Sequence, residues 1–165
     1  MKFLCDAGIN TIELEEHIFL KSYNLIKSEN EELANWLWNK RSISYSRLWE
    51  IALAGLKKGV KWTDIEGMDH SDGTEVKTAR LNLANDGTYS CTIKNLQKKT
   101  GNIKIILYDT IRNQFLFLFL SNKHKNENII ESERGTLRIS LPRTGRKPRG
   151  WWIDHVVPFE KFIKL

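Results

Sequence analysis

The most informative segment of the chain spans residues 67–79 and reads Gly67-Met68-Asp69-His70-Ser71-Asp72-Gly73-Thr74-Glu75-Val76-Lys77-Thr78-Ala79. Its centre, residues 71–73, suits a three-residue hairpin loop whose last position, Gly73, takes the left-handed conformation that such loops need. A loop of that length pairs His70 with Thr74 and Asp69 with Glu75. The segment therefore predicts two antiparallel strands joined by a tight turn.

The same segment places three charged side chains on one face of the predicted hairpin. Because side chains alternate along a strand, Glu75 and Lys77 project from one side while Val76 points into the core. The hairpin pairing adds Asp69 to the charged side. Two carboxylates beside an ammonium form a minimal set for metal-assisted phosphodiester hydrolysis: the carboxylates hold Mg²⁺, and the lysine orients or helps deprotonate the attacking water.

The pattern Asp…Glu-x-Lys over residues 69–77 resembles the active-site motif of the PD-(D/E)XK nuclease superfamily, which includes most restriction endonucleases. The resemblance implies a mixed sheet with the acidic residue on one strand and Glu-x-Lys on the next. It also implies that Asp69 is the first metal ligand, Glu75 the second and Lys77 the catalytic lysine. The chain departs from the family pattern in two respects, since no proline precedes Asp69 and the gap to Glu75 is short.

The short gap leaves three aspartates eligible for the first acidic position. Asp72 has a structural alternative, since Asp-Gly is a common turn dipeptide, and Asp64 would require a longer hairpin loop. Asp69 fits the hairpin geometry best. Family members also resemble one another in carrying an acidic residue on the preceding helix, and Glu50 occupies that place as a further metal ligand if the helix packs over the hairpin. The metal ligands expected from the sequence are thus Asp69, Glu75, Glu50 and Asp72.

Composition indicates one basic domain and a polyanionic partner. The chain has 165 residues with 26 Lys and Arg against 20 Asp and Glu, a net charge of +6 and a pI near 9.3. This length is most simply one domain, and the charge is compatible with nucleic acid. Cys5 and Cys91 form no disulfide framework, and no secretion signal is evident, so a cytoplasmic protein is expected. The longest apolar run, residues 115–120, is too short to span a bilayer and predicts a strand buried on both faces.

The chain divides into a helical part, about 10–58, and a sheet-rich part, about 60–165. Asn10 opens a first helix to about Lys27, Ser28 opens a second, and Ser44 caps a third that continues to Lys58. A last short helix, residues 159–164, follows Pro158. Strands are predicted at 60–69, 75–83, 87–94, 103–109, 114–121 and 135–141.

Two basic turns supply candidate DNA contacts. Residues 142–152 combine four positive charges with prolines, glycines and two tryptophans, and residues 97–101 form a second basic turn. Arginine reads phosphates or guanine edges bidentately, whereas lysine adds salt-sensitive phosphate affinity. A solvated loop beside core tryptophans is the alternative. The residues proposed for DNA binding are Arg143, Arg146, Lys147, Arg149, Lys98 and Lys99.

These observations together predict an α/β (α+β) single domain, residues 1–165, with N-terminal helices before a mixed or antiparallel sheet of five to six strands in a restriction-endonuclease-like core. The expected activity is a Mg²⁺-dependent DNA endonuclease, of the Type II-like restriction class. Cleavage of both strands of a duplex suggests a homodimer on a two-fold symmetric site. The alternatives are a non-catalytic nucleic-acid-binding domain, or a homing nuclease, repair nuclease or ribonuclease using the same residues.

Overall fold

The computed structural model describes residues 11–40, 43–65, 68–83, 89–94, 96, 101–121, 137–141 and 150–165. Within these ranges three helices precede two sheets and a short C-terminal helix. None of the described helices combines the length and the apolarity that crossing a bilayer requires. The fold is therefore mixed α and β with its helices first, as the sequence predicts.

The N-terminal helices are α1 (Thr11–Glu29), α2 (Glu31–Trp38) and α3 (Tyr45–Leu56). The prediction that Ser28 opens the second helix is wrong. The first helix continues to Glu29, and the Asn30 side chain accepts a 3.0 Å hydrogen bond from the Leu33 amide as the N-cap of α2. Asparagine satisfies an otherwise unpaired amide at a helix start, which explains the boundary. The predicted cap at Ser44 is confirmed, since its hydroxyl accepts from the Arg47 amide at 3.3 Å.

Within the described ranges, seven strands form a two-stranded ribbon and a five-stranded sheet. The ribbon contains β1 (Trp62–Ile65) and β2 (Met68–His70), which are antiparallel. The main sheet has the order β6-β5-β3-β4-β7, with β3 parallel to β5 and all other neighbours antiparallel. Its strands are β3 (Glu75–Leu83), β4 (Tyr89–Ile93), β5 (Ile103–Asp109), β6 (Gln114–Leu120) and β7 (Leu137–Leu141). A mixed sheet of five strands confirms the predicted class.

The expectation of one strand over residues 60–69 is wrong. The segment forms β1 and β2, which fold back on each other, so Asp64 and Asp69 lie on different strands. Residues 66 and 67, which separate the two strands in the sequence, lie outside the described ranges. By contrast, the predicted strands 75–83 and 103–109 match β3 and β5.

The main sheet separates two hydrophobic clusters. On one side, Val76, Ile106 and Phe117 pack against Trp49 of α3 and against Phe162 of α4 (Phe159–Phe162). On the other side, Ile103, Ile105 and Leu118 pack near Trp152 in a 3₁₀ helix (Trp151–His155). Alternating residues of β6 join different clusters, so the expectation that residues 115–120 are buried on both faces is confirmed, although β6 is an edge strand.

Candidate active site

The turn between β2 and β3 has the predicted conformation. Gly73 has a φ of +86°, which glycine adopts without steric cost. Its amide donates to the His70 carbonyl at 2.9 Å, and the amides of Asp69 and His70 both donate to the Thr74 carbonyl at 3.1 Å. The turn therefore closes as a tight loop that brings the end of β2 against the start of β3.

Beyond the turn the two strands separate, so the predicted pairing of Asp69 with Glu75 is wrong. β2 pairs with β1, whereas β3 pairs with β5, and the Glu75 amide donates to the Asn102 carbonyl at 2.9 Å. The Asp69 side chain connects the two strands instead, because its Oδ2 accepts a 2.8 Å hydrogen bond from the Val76 amide. The carboxylate of Asp69 thus holds this residue beside the first residues of β3.

Glu75 and Lys77 form an ion pair on one side of β3. The Lys77 Nζ lies 2.8 Å from Oε1 of Glu75, and the exposed fractions of the two side chains are 29% and 4%. Val76 is buried on the helix side of the sheet. The predicted alternation is confirmed: a buried carboxylate and a partly exposed ammonium share the face that points away from the helices.

Asp69 interacts electrostatically with this ion pair. Burial raises the pKa of Asp69 above its usual value, and the negative charge of Glu75 raises that pKa further. The hydrogen bond from Val76 and the positive charge of Lys77 act in the opposite direction. The Asp69 carboxylate thus bonds to the backbone of β3 between Glu75 and Lys77 and lies within electrostatic range of both.

Glu50 of α3 lies near the same group. Its pKa is raised by burial and next by the charge of Asp69, with a smaller contribution from Glu75. Its Oε2 accepts a 3.3 Å hydrogen bond from the indole N–H of Trp62, and its backbone carbonyl lies 2.7 Å from Nε2 of His70. These contacts show that α3 packs over the β1–β2 ribbon, which was the condition for Glu50 to approach the site.

The other two aspartates have different roles. Asp72 is held in the turn, where Oδ2 accepts from Lys57 Nζ at 2.8 Å and Oδ1 from the Thr74 amide at 3.0 Å. These hydrogen bonds, working against partial burial, hold the pKa of Asp72 at about 2. This arrangement favours the turn role that the Asp-Gly dipeptide indicates. Asp64 is exposed on β1 and lies 3.3 Å from the Arg47 guanidinium.

Asp69 and Glu75 are the two carboxylates of this group that could hold a hydrated divalent cation. The part of the chain that the structure describes contains no group of three His, Cys, Asp or Glu side chains arranged to hold a metal. Mg²⁺ commonly uses one or two carboxylates and keeps several waters, so it does not need such a group. Burial first, and then the negative charge of Glu75, raise the pKa of Asp69, and a bound cation would stabilise its charged form. Glu50 interacts electrostatically with Asp69 and Glu75, but these three described carboxylates do not form a three-residue ligand set.

The turn between β2 and β3 is in close backbone contact with Gly101. A Cβ on Gly101 would lie 1.8 Å from the carbonyl oxygen of Gly73, so only glycine fits at position 101. Gly101 precedes β5, the parallel partner of β3. The contact therefore links the turn between β2 and β3 to the start of the main sheet.

The predicted DNA-contact residues fall outside the described ranges: Arg143, Arg146, Lys147, Arg149, Lys98 and Lys99. Asn10 and Cys5 also lie outside them, while Cys91 is a buried free cysteine, as expected.

Two buried polar residues beside the site were not anticipated. His70 is fully buried between β2 and α3, and Lys104 of β5 is fully buried at the register position of Val76. The sequence held a weak indication of the second, because Lys104 interrupts an apolar run within a strand that is buried on both faces.

Comparisons of the chain with protein-family models, with curated proteins and with solved structures give no match.

Proposed function

We propose that the chain is a Mg²⁺-dependent endodeoxyribonuclease of the PD-(D/E)XK type, most closely of the Type II-like restriction class. The observation that carries the proposal is the 2.8 Å ion pair of Lys77 with Glu75 next to the anchored carboxylate of Asp69. Each of the three residue types has a defined role in hydrolysing a phosphodiester, and all three belong to adjoining ends of β2 and β3.

Each side chain supports the chemistry in its own way. Asp69 and Glu75 would hold the magnesium ion, which supplies a Lewis acid that neutralises charge on the phosphate and on the leaving 3′-oxygen. Lys77 has three N–H donors and uses one for Glu75, so among the described residues the others are available to orient a water and a phosphate oxygen. Its partly exposed ammonium reaches the surface where a substrate strand would lie. In-line attack by that water produces 5′-phosphate and 3′-hydroxyl ends.

One feature departs from the resemblance on which the proposal partly rests. The family pattern places the acidic residue and Glu-x-Lys on neighbouring strands of one mixed sheet. Here Asp69 belongs to the two-stranded ribbon and reaches β3 through its side chain. The chemistry requires the carboxylates and the ammonium to converge, and in this proposal the side chain of Asp69 provides the different route.

The test is incubation of the purified chain with unmodified phage genomic DNA in Mg²⁺ and in EDTA, alongside Glu75→Ala. Discrete Mg²⁺-dependent fragments that are lost in the variant would support a site-specific nuclease. A Mg²⁺-dependent smear would keep the hydrolytic chemistry and remove the restriction assignment. Intact DNA, with a gel shift that Glu75→Ala retains, would replace the proposal with a non-catalytic binding domain, and cleavage of RNA alone would make it a ribonuclease.

The proposal includes a homodimer as the active species on duplex DNA. One active site of this kind cuts one strand, so two sites related by a two-fold axis cut both strands of a palindromic sequence. Sedimentation of the chain with and without a cleavable duplex measures this directly. A monomer that only nicks DNA would contradict it.

A further inference from the structure

Lys57 lies where three parts of the fold meet. It is the C-cap residue of α3, and its backbone amide donates to the Ala54 carbonyl at 3.3 Å. Its Nζ donates to Oδ2 of Asp72, in the turn between β2 and β3, at 2.8 Å and to the Leu165 backbone oxygen at 2.7 Å. Because Leu165 follows α4, one ammonium joins the end of α3, the turn and the segment after α4.

Asp72 connects the Lys57 ammonium to the backbone of the turn. Its second oxygen, Oδ1, accepts a 3.0 Å hydrogen bond from the Thr74 amide. Thr74 immediately precedes Glu75, and its carbonyl accepts from the Asp69 amide at 3.1 Å. Asp69 and Glu75 therefore flank a turn that Lys57 contacts through the carboxylate of Asp72.

The ion pair of Lys57 with Asp72 is partly sheltered from solvent. The exposed fractions of the two side chains are 24% and 28%. Hydrogen bonds between charged groups are stronger than neutral ones, and sheltered pairs lose less to solvent screening than fully exposed pairs do. The turn thus has two tertiary contacts, which are this ion pair and the close approach of Gly73 to Gly101.

We infer that Lys57 is a positioning residue of the proposed active site and fixes the turn between Asp69 and Glu75 against α3 and the segment after α4. The inference rests on the proposed nuclease function and adds a residue that acts through the turn without touching the substrate. The strands that carry Asp69 and Glu75 do not pair with each other, so the turn sets how far apart these residues lie. Carboxylates that are already held in place bind a cation more tightly, because less ordering is needed on binding.

The experiment follows Mg²⁺ binding by NMR at the Val76 amide, which donates to Asp69, and measures single-turnover cleavage of a short duplex. The proteins compared are the wild type, Lys57→Met, Lys57→Arg and two controls. The control Lys58→Met removes the neighbouring exposed lysine. The control Ile139→Val removes one buried methyl group from β7, which β4 separates from β3, so it lowers stability at a distance from the turn.

Lys57→Met is expected to weaken Mg²⁺ binding by about tenfold, at the low end of the effect of residues that orient metal ligands. Cleavage at a fixed, subsaturating Mg²⁺ concentration should slow by a similar factor, and hydrogen exchange at the Thr74 amide should become faster. Lys57→Arg should restore most of each value, because a guanidinium can also donate to two acceptors. Both controls should keep the Mg²⁺ affinity and the cleavage rate of the wild type.

Wild-type Mg²⁺ affinity and cleavage rate in Lys57→Met would overturn the inference. Equal losses in Ile139→Val would also overturn it, because they would show a general effect of lower stability. A wild type that binds Mg²⁺ without cutting DNA would overturn the nuclease proposal, while the Mg²⁺ affinities of the variants still decide the role of Lys57. A wild type that neither binds Mg²⁺ nor cuts DNA would overturn both.

Discussion

The backbone amide of Val76 donates a 2.8 Å hydrogen bond to Oδ2 of Asp69. This bond joins the end of the β1–β2 ribbon to the first residues of β3, where backbone pairing between the two strands has stopped. One oxygen of Asp69 therefore accepts a structural hydrogen bond. Burial and the negative charge of Glu75 raise the pKa of the same carboxylate and so disfavour its charged form. The two properties can be separated experimentally, because an amide accepts the same hydrogen bond without carrying charge.

Asp69→Asn is expected to raise the free energy of unfolding in the absence of metal and to abolish stabilisation by Mg²⁺. The folded pKa of Asp69 is raised, so its charged form is penalised by folding at neutral pH, and the penalty disappears as pH falls toward the ordinary value of 3.8. The difference between variant and wild type should therefore be largest at neutral pH and close on acidification. Thermal unfolding with and without Mg²⁺, over a pH series, measures both effects.

The control for this variant is Asp64→Asn, which removes an exposed aspartate from the same ribbon. It should leave the Mg²⁺ response unchanged. A rise in Tm with Mg²⁺ that is equal in Asp69→Asn and wild type would show that Asp69 does not hold the ion.

Lys77→Met is expected to lower the rate of DNA cleavage by about 100-fold or more, because it removes the donor that orients the attacking water. Affinity for DNA measured in EDTA should change little in comparison. Single-turnover cleavage of a short duplex gives the rate, with circular dichroism to confirm the fold. Lys94→Met, at the exposed residue that follows β4, is the matched control. Cleavage by Lys77→Met at the wild-type rate would remove this lysine from the mechanism.

Gly101→Ala is expected to lower the free energy of unfolding by about 1–3 kcal/mol, because the new methyl must displace the Gly73 carbonyl. Cleavage should fall as well, since Gly73 ends the turn between Asp69 and Glu75. Denaturant unfolding measures the first effect, and cleavage of genomic DNA the second.

Gly55→Ala is the comparison for that substitution. Its Cβ would lie 2.8 Å from Cδ2 of Leu33, the end of a side chain that can rotate away, and alanine favours the helix. Its stability should stay close to that of the wild type. Equal stability of Gly101→Ala and Gly55→Ala would contradict the close approach at the turn.

Lys104→Met is expected to stabilise the chain at neutral pH by about 1–3 kcal/mol, because it replaces a fully buried ammonium with an apolar group of similar length. The Lys104 Nζ has no hydrogen-bond partner among the described residues and lies 5.4 Å from the centre of the Phe162 ring. Burial and then the charge of Lys57 lower the pKa of Lys104 from 10.5 to about 8, while Asp72 acts the opposite way.

The pH dependence of this effect follows from the direction of the shift. Folding disfavours the charged form, so the penalty is fully present below pH 8 and is lost as pH rises toward 10.5. The advantage of Lys104→Met over wild type should therefore narrow across that range in denaturant unfolding, and Lys58→Met should show no such trend. A constant difference across the range would show that the amine is not the cause.

The local features of the fold and the site follow from neighbouring residues in the sequence. The cap at Ser44, the left-handed Gly73 and the ion pair of Glu75 with Lys77 depend on groups a few residues apart, whose geometry is set by backbone conformation and alternation. The bounds of β3 and β5 were predictable for the same reason, since runs of strand-forming residues end at turn residues.

The partners of each strand were decided by tertiary structure. β3 pairs in parallel with β5 and not with β2, because β5 is buried at every position and so needs a neighbouring strand on each edge within the main sheet. Asp69 therefore reaches β3 through its side chain, Lys104 is buried under α4, and α3 brings Glu50 beside the carboxylates. The sequence by itself determined which chemical groups are available and their local spacing. The packing of distant segments determined which of those groups come into contact. The free energy of that packing is summed over whole sheet faces and helices, so it cannot be read from neighbouring residues.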